Sequence, residues 1–112
     1  MNRDEIHFDL LRRLERKPQC SQRELSIEMG VSLGKINYCV NKLIAKGLVK
    51  LKNFSNSKNK RNYSYFLTPK GVEEKGRLTF SFLKLKMDEY EILKDEIEKL
   101  RKDTEKLKSV NK

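Results

Sequence analysis

Between Ser21 and Gly47 the chain carries its own punctuation, and this limits the fold more than any other feature. Ser21-Gln22-Arg23-Glu24 has the form of a capping box, with the Ser21 hydroxyl accepting a backbone N–H while Glu24 reaches back. The short helix it opens has Leu25, Ile27 and Met29 as its apolar side, and Gly30 breaks it. Ser32 caps a further helix that runs to about Lys46, with Gly47 suited to the left-handed position past its end. Two helices crossing over a short turn need a small residue where they touch. They also need a turn residue that tolerates positive φ, and apolar residues that lock the angle. Ser26, Gly30 and the set Leu25, Met29, Val31, Ile36 and Cys39 fill those roles at the required spacing.

The flanking sequence completes a helix-turn-helix with a hairpin behind it. Ile6, Leu10, Leu11 and Leu14 mark one face of a first helix that Pro18 ends. Leu48 to Phe54 and Tyr63 to Leu67 alternate as two strands, joined by the polar loop from Ser55 to Arg61. Thr68-Pro69 starts another helix, which nothing but the tolerable Gly71 and Gly76 interrupts before Val110. Unbroken, it would be roughly 40 residues and about 60 Å long. The predicted fold is therefore mainly α with a small β-hairpin: a winged helix-turn-helix followed by a long C-terminal coiled-coil helix. Residues 1–71 form the predicted DNA-binding domain. Residues 72–112 form the dimerisation helix, with the coiled coil at about 83–108.

Charge selects the partner. The 112 residues carry a net +10. Residues 1–71 account for +9 of it, and residues 72–112 for only +1. No acidic residue lies between Glu28 and Glu73, where nine basic ones occur. A solvated surface usually mixes both signs, so this one-sign stretch points to a polyanion, and double-stranded DNA fits it best. No basic amphipathic helix with a bulky aromatic face is present, and no apolar run approaches the ~18 residues of a membrane span, so no membrane partner is expected.

On the second helix of the motif, Ile36, Cys39, Val40 and Leu43 face inward. Gly34, Lys35, Asn37, Tyr38, Asn41 and Lys42 remain outward, with Ser32 at the start. This acid-free face is rich in donors for base edges and phosphates, as a recognition helix requires. Lys58, Asn59, Lys60 and Arg61 in the hairpin loop suit a wing on phosphates or in an adjacent minor groove. Tyr63 and Tyr65 read as packing the hairpin onto the core. Arg12, Arg13, Arg16 and Lys17 read as a solvated face of the first helix.

The last third predicts a self-partner. Tyr90, Ile97 and Thr104 fall at heptad position a, and Leu93, Leu100 and Leu107 at d, with Leu83 one heptad earlier. Position g holds Glu89, Glu96 and Asp103; position e holds Lys94, Arg101 and Lys108. In a parallel homodimer each g residue meets an e residue of opposite sign, whereas an antiparallel pair opposes like charges. Ile92 lies outside this register. Phe80, Phe82, Leu85 and Met87 are too apolar for a free helix, and are expected to pack on the winged domain or add to the interface.

The segment from Gln22 to Leu100 resembles the winged-helix regulators of the MarR superfamily. It is most similar to the short bacterial group called MarR family EPS-associated transcriptional regulators. The pieces that carry the likeness are GVSLGKINYC, KGLVK, NSKNK and YFLTPKG. The resemblance implies a dimeric, sequence-specific transcriptional regulator in a cell making exopolysaccharide or capsule, acting on an inverted repeat. Ordinary MarR proteins have a longer N-terminal helix and two C-terminal helices enclosing an effector pocket. Only one C-terminal helix is read here, which makes a small-molecule effector doubtful.

Other classes fit less well. His7, the single histidine, reads as a surface residue of the charged first helix. Neither Cys20 nor Cys39 has a base nearby in sequence or a metal-ligand spacing, and no glycine-rich phosphate loop appears. An enzyme is not expected, nor are catalytic residues, a metal or a cofactor. The charged N-terminus lacks a secretion signal, so reduced thiols in a bacterial cytoplasm are expected, with the protein on the nucleoid when bound to DNA. The alternative is a non-catalytic winged-helix interaction module docking through its C-terminal helix, but such a module has no need of an acid-free basic face.

Overall fold

The computed structural model describes residues 2–55 and 61–110. In order, the elements are α1 (Arg3–Arg16), α2 (Gln22–Met29), α3 (Leu33–Ala45), β1 (Val49–Ser55), β2 (Arg61–Leu67) and α4 (Pro69–Val110). They form two compact units, Met1–Thr79 and Phe80–Lys112. The first is a winged helix-turn-helix: three helices, an antiparallel hairpin and the opening turns of α4.

Local chemistry sets each boundary. Asn2 caps α1 by accepting the Glu5 N–H at 2.8 Å, and Asp4 and Glu5 complement the positive end of the helix dipole. Ser21 caps α2 through the Glu24 N–H at 3.0 Å. The reciprocal arm of the expected capping box goes elsewhere, because the Glu24 carboxylate accepts from Lys17 Nζ at 3.3 Å. Gly30 ends α2 at φ +65°, a conformation that costs glycine nothing and other residues strain. Ser32 caps α3 through the Lys35 N–H at 3.2 Å. Past Lys46, the Gly47 N–H reaches Ile44 O and the Leu48 N–H reaches Leu43 O, the paired bonds of a Schellman motif with Gly47 at φ +74°.

The core of this unit lies where α1 meets α3 and β2. Ile6, Leu10, Leu11 and Leu14 of α1 are buried with Leu25, Ile36, Cys39, Val40, Leu43, Leu48 and Val49. In the hairpin Val49 pairs with Leu67 and Ser55 with Arg61, so β2 starts two residues before the expected Tyr63. Tyr65 is buried as expected, whereas Tyr63 is exposed: the two share one face of β2, but Tyr63 lies two residues farther toward the hairpin tip, opposite Asn53. The Tyr65 N–H also donates to Pro18 O at 2.9 Å, tying β2 to the α1–α2 connection.

Thr68 joins the wing to α4. Its hydroxyl accepts the Gly71 N–H at 3.0 Å as a cap and donates to Gly47 O at 2.6 Å. Gly71 is buried against the Leu48 carbonyl, where a Cβ would collide with the backbone. In the second unit, Leu83, Leu85, Met87, Tyr90, Ile92, Leu93, Ile97, Leu100 and Leu107 are all exposed. Among the described residues no helix is long and apolar enough to cross a membrane.

Several expectations need correction. Ile27 is 76% exposed, because residues two apart on a helix point in nearly opposite directions and Leu25 already faces the core. His7 is buried, one position after Ile6 on the broad inner face of α1. Arg13 is half-buried. It pairs with Asp9 and Glu28, each at 2.9 Å, and so braces α1 against α2 instead of standing in water.

Candidate nucleic-acid interface

The α2–α3 turn is held twice over. The Val31 N–H donates to Ser26 O at 3.1 Å, and the Ser26 hydroxyl donates back to Val31 O. With Gly30 in the left-handed region, these bonds fix the angle at which α3 leaves α2. Burial of Ile36, Cys39, Val40 and Leu43 then fixes its rotation. What turns outward follows from that rotation.

Ser32, Gly34, Lys35, Asn37, Tyr38 and Asn41 are exposed, and Lys42 is half-exposed over the Tyr38 ring. Its Nζ lies 5.6 Å from that ring's centroid, a cation–π arrangement that holds the ammonium near the exposed face. No group near Gly34 would crowd an added Cβ, so its bareness leaves room for close approach of a ligand backbone. The expected recognition face is therefore one contiguous exposed strip carrying ammonium, amide and phenol groups and no carboxylate. Lys58, Asn59 and Lys60 lie outside the described residues, as does the side chain of Arg61. The expected interface residues Leu83, Tyr90, Leu93, Ile97, Leu100, Thr104 and Leu107 are all exposed in the second unit.

Two residues to which sequence reasoning gave only structural roles stand behind this strip. Gln22, the first residue of α2, accepts from Asn37 Nδ2 at 3.1 Å and donates to the Tyr65 hydroxyl at 3.2 Å. Asn41 Nδ2 in turn donates to Asn37 Oδ1 at 3.2 Å. No periodicity links Gln22 to Tyr65; only the crossing of α2 and α3 and the return of β2 bring them together. A polar residue at the first position of a helix-turn-helix helix is the one weak sequence signal.

On the other side of α3, a crevice of about 500 Å³ is lined by Arg3, Asp4, His7, Lys46, Glu74 and Arg77 among others. Burial, together with Lys46 and Arg3 nearby, pushes the His7 pKa below its ordinary value against the opposing pull of Asp4. The Arg77 hydrogen bond holds the Glu74 carboxyl low. Burial raises the Cys20 thiol, helped by Glu24 and Glu28, which makes it a poor nucleophile.

A winged helix-turn-helix with an exposed, basic second helix defines the class. Comparisons with known proteins agree at the level of fold. Residues 3–50 match the family model described as winged helix-turn-helix DNA-binding. A Staphylococcus aureus MarR, solved with salicylate and kanamycin, is similar at 21% identity and TM-score 0.55, over 73% of this chain and 53% of that one. Streptococcus pneumoniae FabT in complex with DNA is similar at 23% identity and TM-score 0.53, over 74% and 56% of the two chains. A mutant S. aureus MepR bound to an oligodeoxyribonucleotide is similar at 15% identity and TM-score 0.57, over 100% of this chain and 80% of that one. The chain thus spans about half the length of the first and second of these structures. The search of curated proteins found no match.

Proposed function

We propose that this protein is a sequence-specific double-stranded DNA-binding transcriptional regulator of the MarR type, acting as a homodimer. The observation that carries the reading is the α3 face: Lys35, Asn37, Tyr38, Asn41 and Lys42 stand outward on a helix whose angle the Ser26–Gly30–Val31 turn fixes. Lys35 and Asn37 would enter a major groove near the start of the helix, and Lys42 would reach the flanking phosphates. Lys58, Asn59, Lys60 and Arg61 would follow the backbone or the next minor groove as a wing. The two structural relatives solved with bound nucleic acid share this fold and support the reading by analogy.

The homodimer rests on the seam from Leu83 to Leu107, whose apolar side chains are exposed among the described residues. Opposite charges at g and e favour the parallel arrangement. A twofold dimer reads an inverted repeat with half-sites about one helical turn apart, or a multiple of it. Control of exopolysaccharide or capsule genes is the physiological role the sequence resemblance suggests.

Selection of bound DNA from a random pool tests the proposal. The expected outcome is an enriched inverted repeat whose affinity falls steeply with salt. A Lys35/Asn37/Asn41 triple alanine variant that binds the enriched site as tightly as wild type would refute the assignment of the reading face.

A further inference from the structure

Three amides and a phenol form one directed hydrogen-bond chain through the helix-turn-helix. Asn41 Nδ2 donates to Asn37 Oδ1, Asn37 Nδ2 donates to Gln22 Oε1, and Gln22 Nε2 donates to the Tyr65 hydroxyl. The far end is firm, because Tyr65 is only 7% exposed and its backbone N–H is bonded to Pro18 O. The near end is open: Asn37 and Asn41 lie one helical turn apart on the exposed strip of α3.

The direction of the chain decides what each amide can still offer. A carboxamide has one acceptor oxygen and two N–H donors. Reading adenine in the major groove needs both kinds from one amide, an oxygen for the N6 amino group and an N–H for N7. Asn37 is engaged at both ends, its oxygen turned to Asn41 and an N–H turned to Gln22. Asn41 gives up a single N–H; its Oδ1 and second N–H take no part in the chain. That bond holds the Asn41 amide in place on the exposed strip, with its oxygen and second N–H left for a base.

We infer that Asn41 is the residue that specifies an adenine in each half-site, and that Gln22 and Tyr65 are positioning residues that orient it through Asn37. This rests on the DNA-binding reading and deepens it. The fold has thereby set the amide before DNA arrives, so less rotamer freedom is lost on binding. It also links the wing strand to base reading, since Tyr65 belongs to β2 and Asn41 to α3.

The test is selection from a random DNA pool, followed by binding titrations, with the full chain as wild type, Asn41→Ala, Gln22→Met and Tyr65→Phe. In Asn41→Ala the adenine preference at one base position per half-site falls by roughly tenfold or more, the worth of a bidentate base contact. In Gln22→Met and Tyr65→Phe it falls at that same position by about three- to tenfold, as for one hydrogen bond. Affinity for unrelated DNA and its salt slope stay unchanged in Gln22→Met and Tyr65→Phe, since neither removes a cation. Tyr65→Phe keeps the buried ring, and a thermal melt reports that the variant is folded. Folded Gln22→Met and Tyr65→Phe proteins with the wild-type base profile would overturn the positioning roles. An unchanged profile in Asn41→Ala would overturn the adenine assignment. A wild type that enriches no sequence removes the DNA-binding reading itself, a separate result that is visible before any variant is made.

Discussion

Helix α1 and the C-terminal unit make an instructive pair, because both carry a regular apolar stripe and treat it differently. Ile6, Leu10, Leu11 and Leu14 of α1 are at most 1% exposed. Leu83, Tyr90, Leu93, Ile97, Leu100 and Leu107 are between 43% and 65% exposed. The stripe of α1 has α3 and β2 to pack against, whereas the unit from Phe80 is a single helix, which cannot bury a face against itself. The first unit is complete within one chain. The second leaves its apolar stripe exposed among the described residues, which is the observation behind the proposed homodimer.

The largest effect should come from breaking the second unit while sparing the first. Leu93→Glu combined with Leu100→Glu should sediment as a monomer. Its affinity for a two-half-site operator should drop by about 10²- to 10⁴-fold through lost avidity, with affinity for one half-site unchanged. A double variant that still sediments as a dimer would end the comparison.

Breaking the first unit alone needs a contact inside it. Gly71→Ala places a methyl group against the Leu48 carbonyl and should cost about 1–3 kcal/mol or more in urea unfolding. The seam residues 83–107 are untouched, so the mass measured by sedimentation should not change. A wild-type midpoint would show that α4 does not depend on this close approach. Next in size, Ser32→Ala removes the cap of α3 and should cost about 1 kcal/mol by the same measurement.

The smallest effect is a dependence on pH. The folded His7 pKa lies below that of a free imidazole, so the unfolded chain binds the proton first as pH falls. Stability is then full above the unfolded value near 6.5 and declines as pH drops from there toward the folded pKa. Denaturation midpoints at pH 7.5 and 5.5 should differ in that direction, and His7→Gln should narrow the gap. A variant with the wild-type pH profile would assign the effect to groups other than His7.

Much of the first unit is legible in the sequence because short-range chemistry decides it. The Ser21 and Ser32 caps, the Gly30 and Gly47 turns and the Thr68-Pro69 start each depend on residues within five positions, and all form. The errors arise where a neighbour distant in sequence competes. Glu24 takes Lys17, Arg13 takes Glu28, and His7 lies in a crevice that the start of α4 helps to line. The outward face of α3 could be read from its inward one, since a helix has a fixed period. The amides behind that face could not, because Gln22, Asn37 and Tyr65 meet only once three elements have crossed.

By itself, then, the sequence determined the order of elements, the strip of α3 left outside the core and the concentration of positive charge around it. These follow from periodicity, capping and composition, which act along the chain. Tertiary structure alone decided that Gln22 and Tyr65 stand behind Asn37, that His7 is buried beside a crevice lined by both cations and carboxylates, and that Gly71 must remain bare beneath Leu48. Each of those depends on the angle and distance between elements. The packing of side chains fixes these, and no local pattern encodes them.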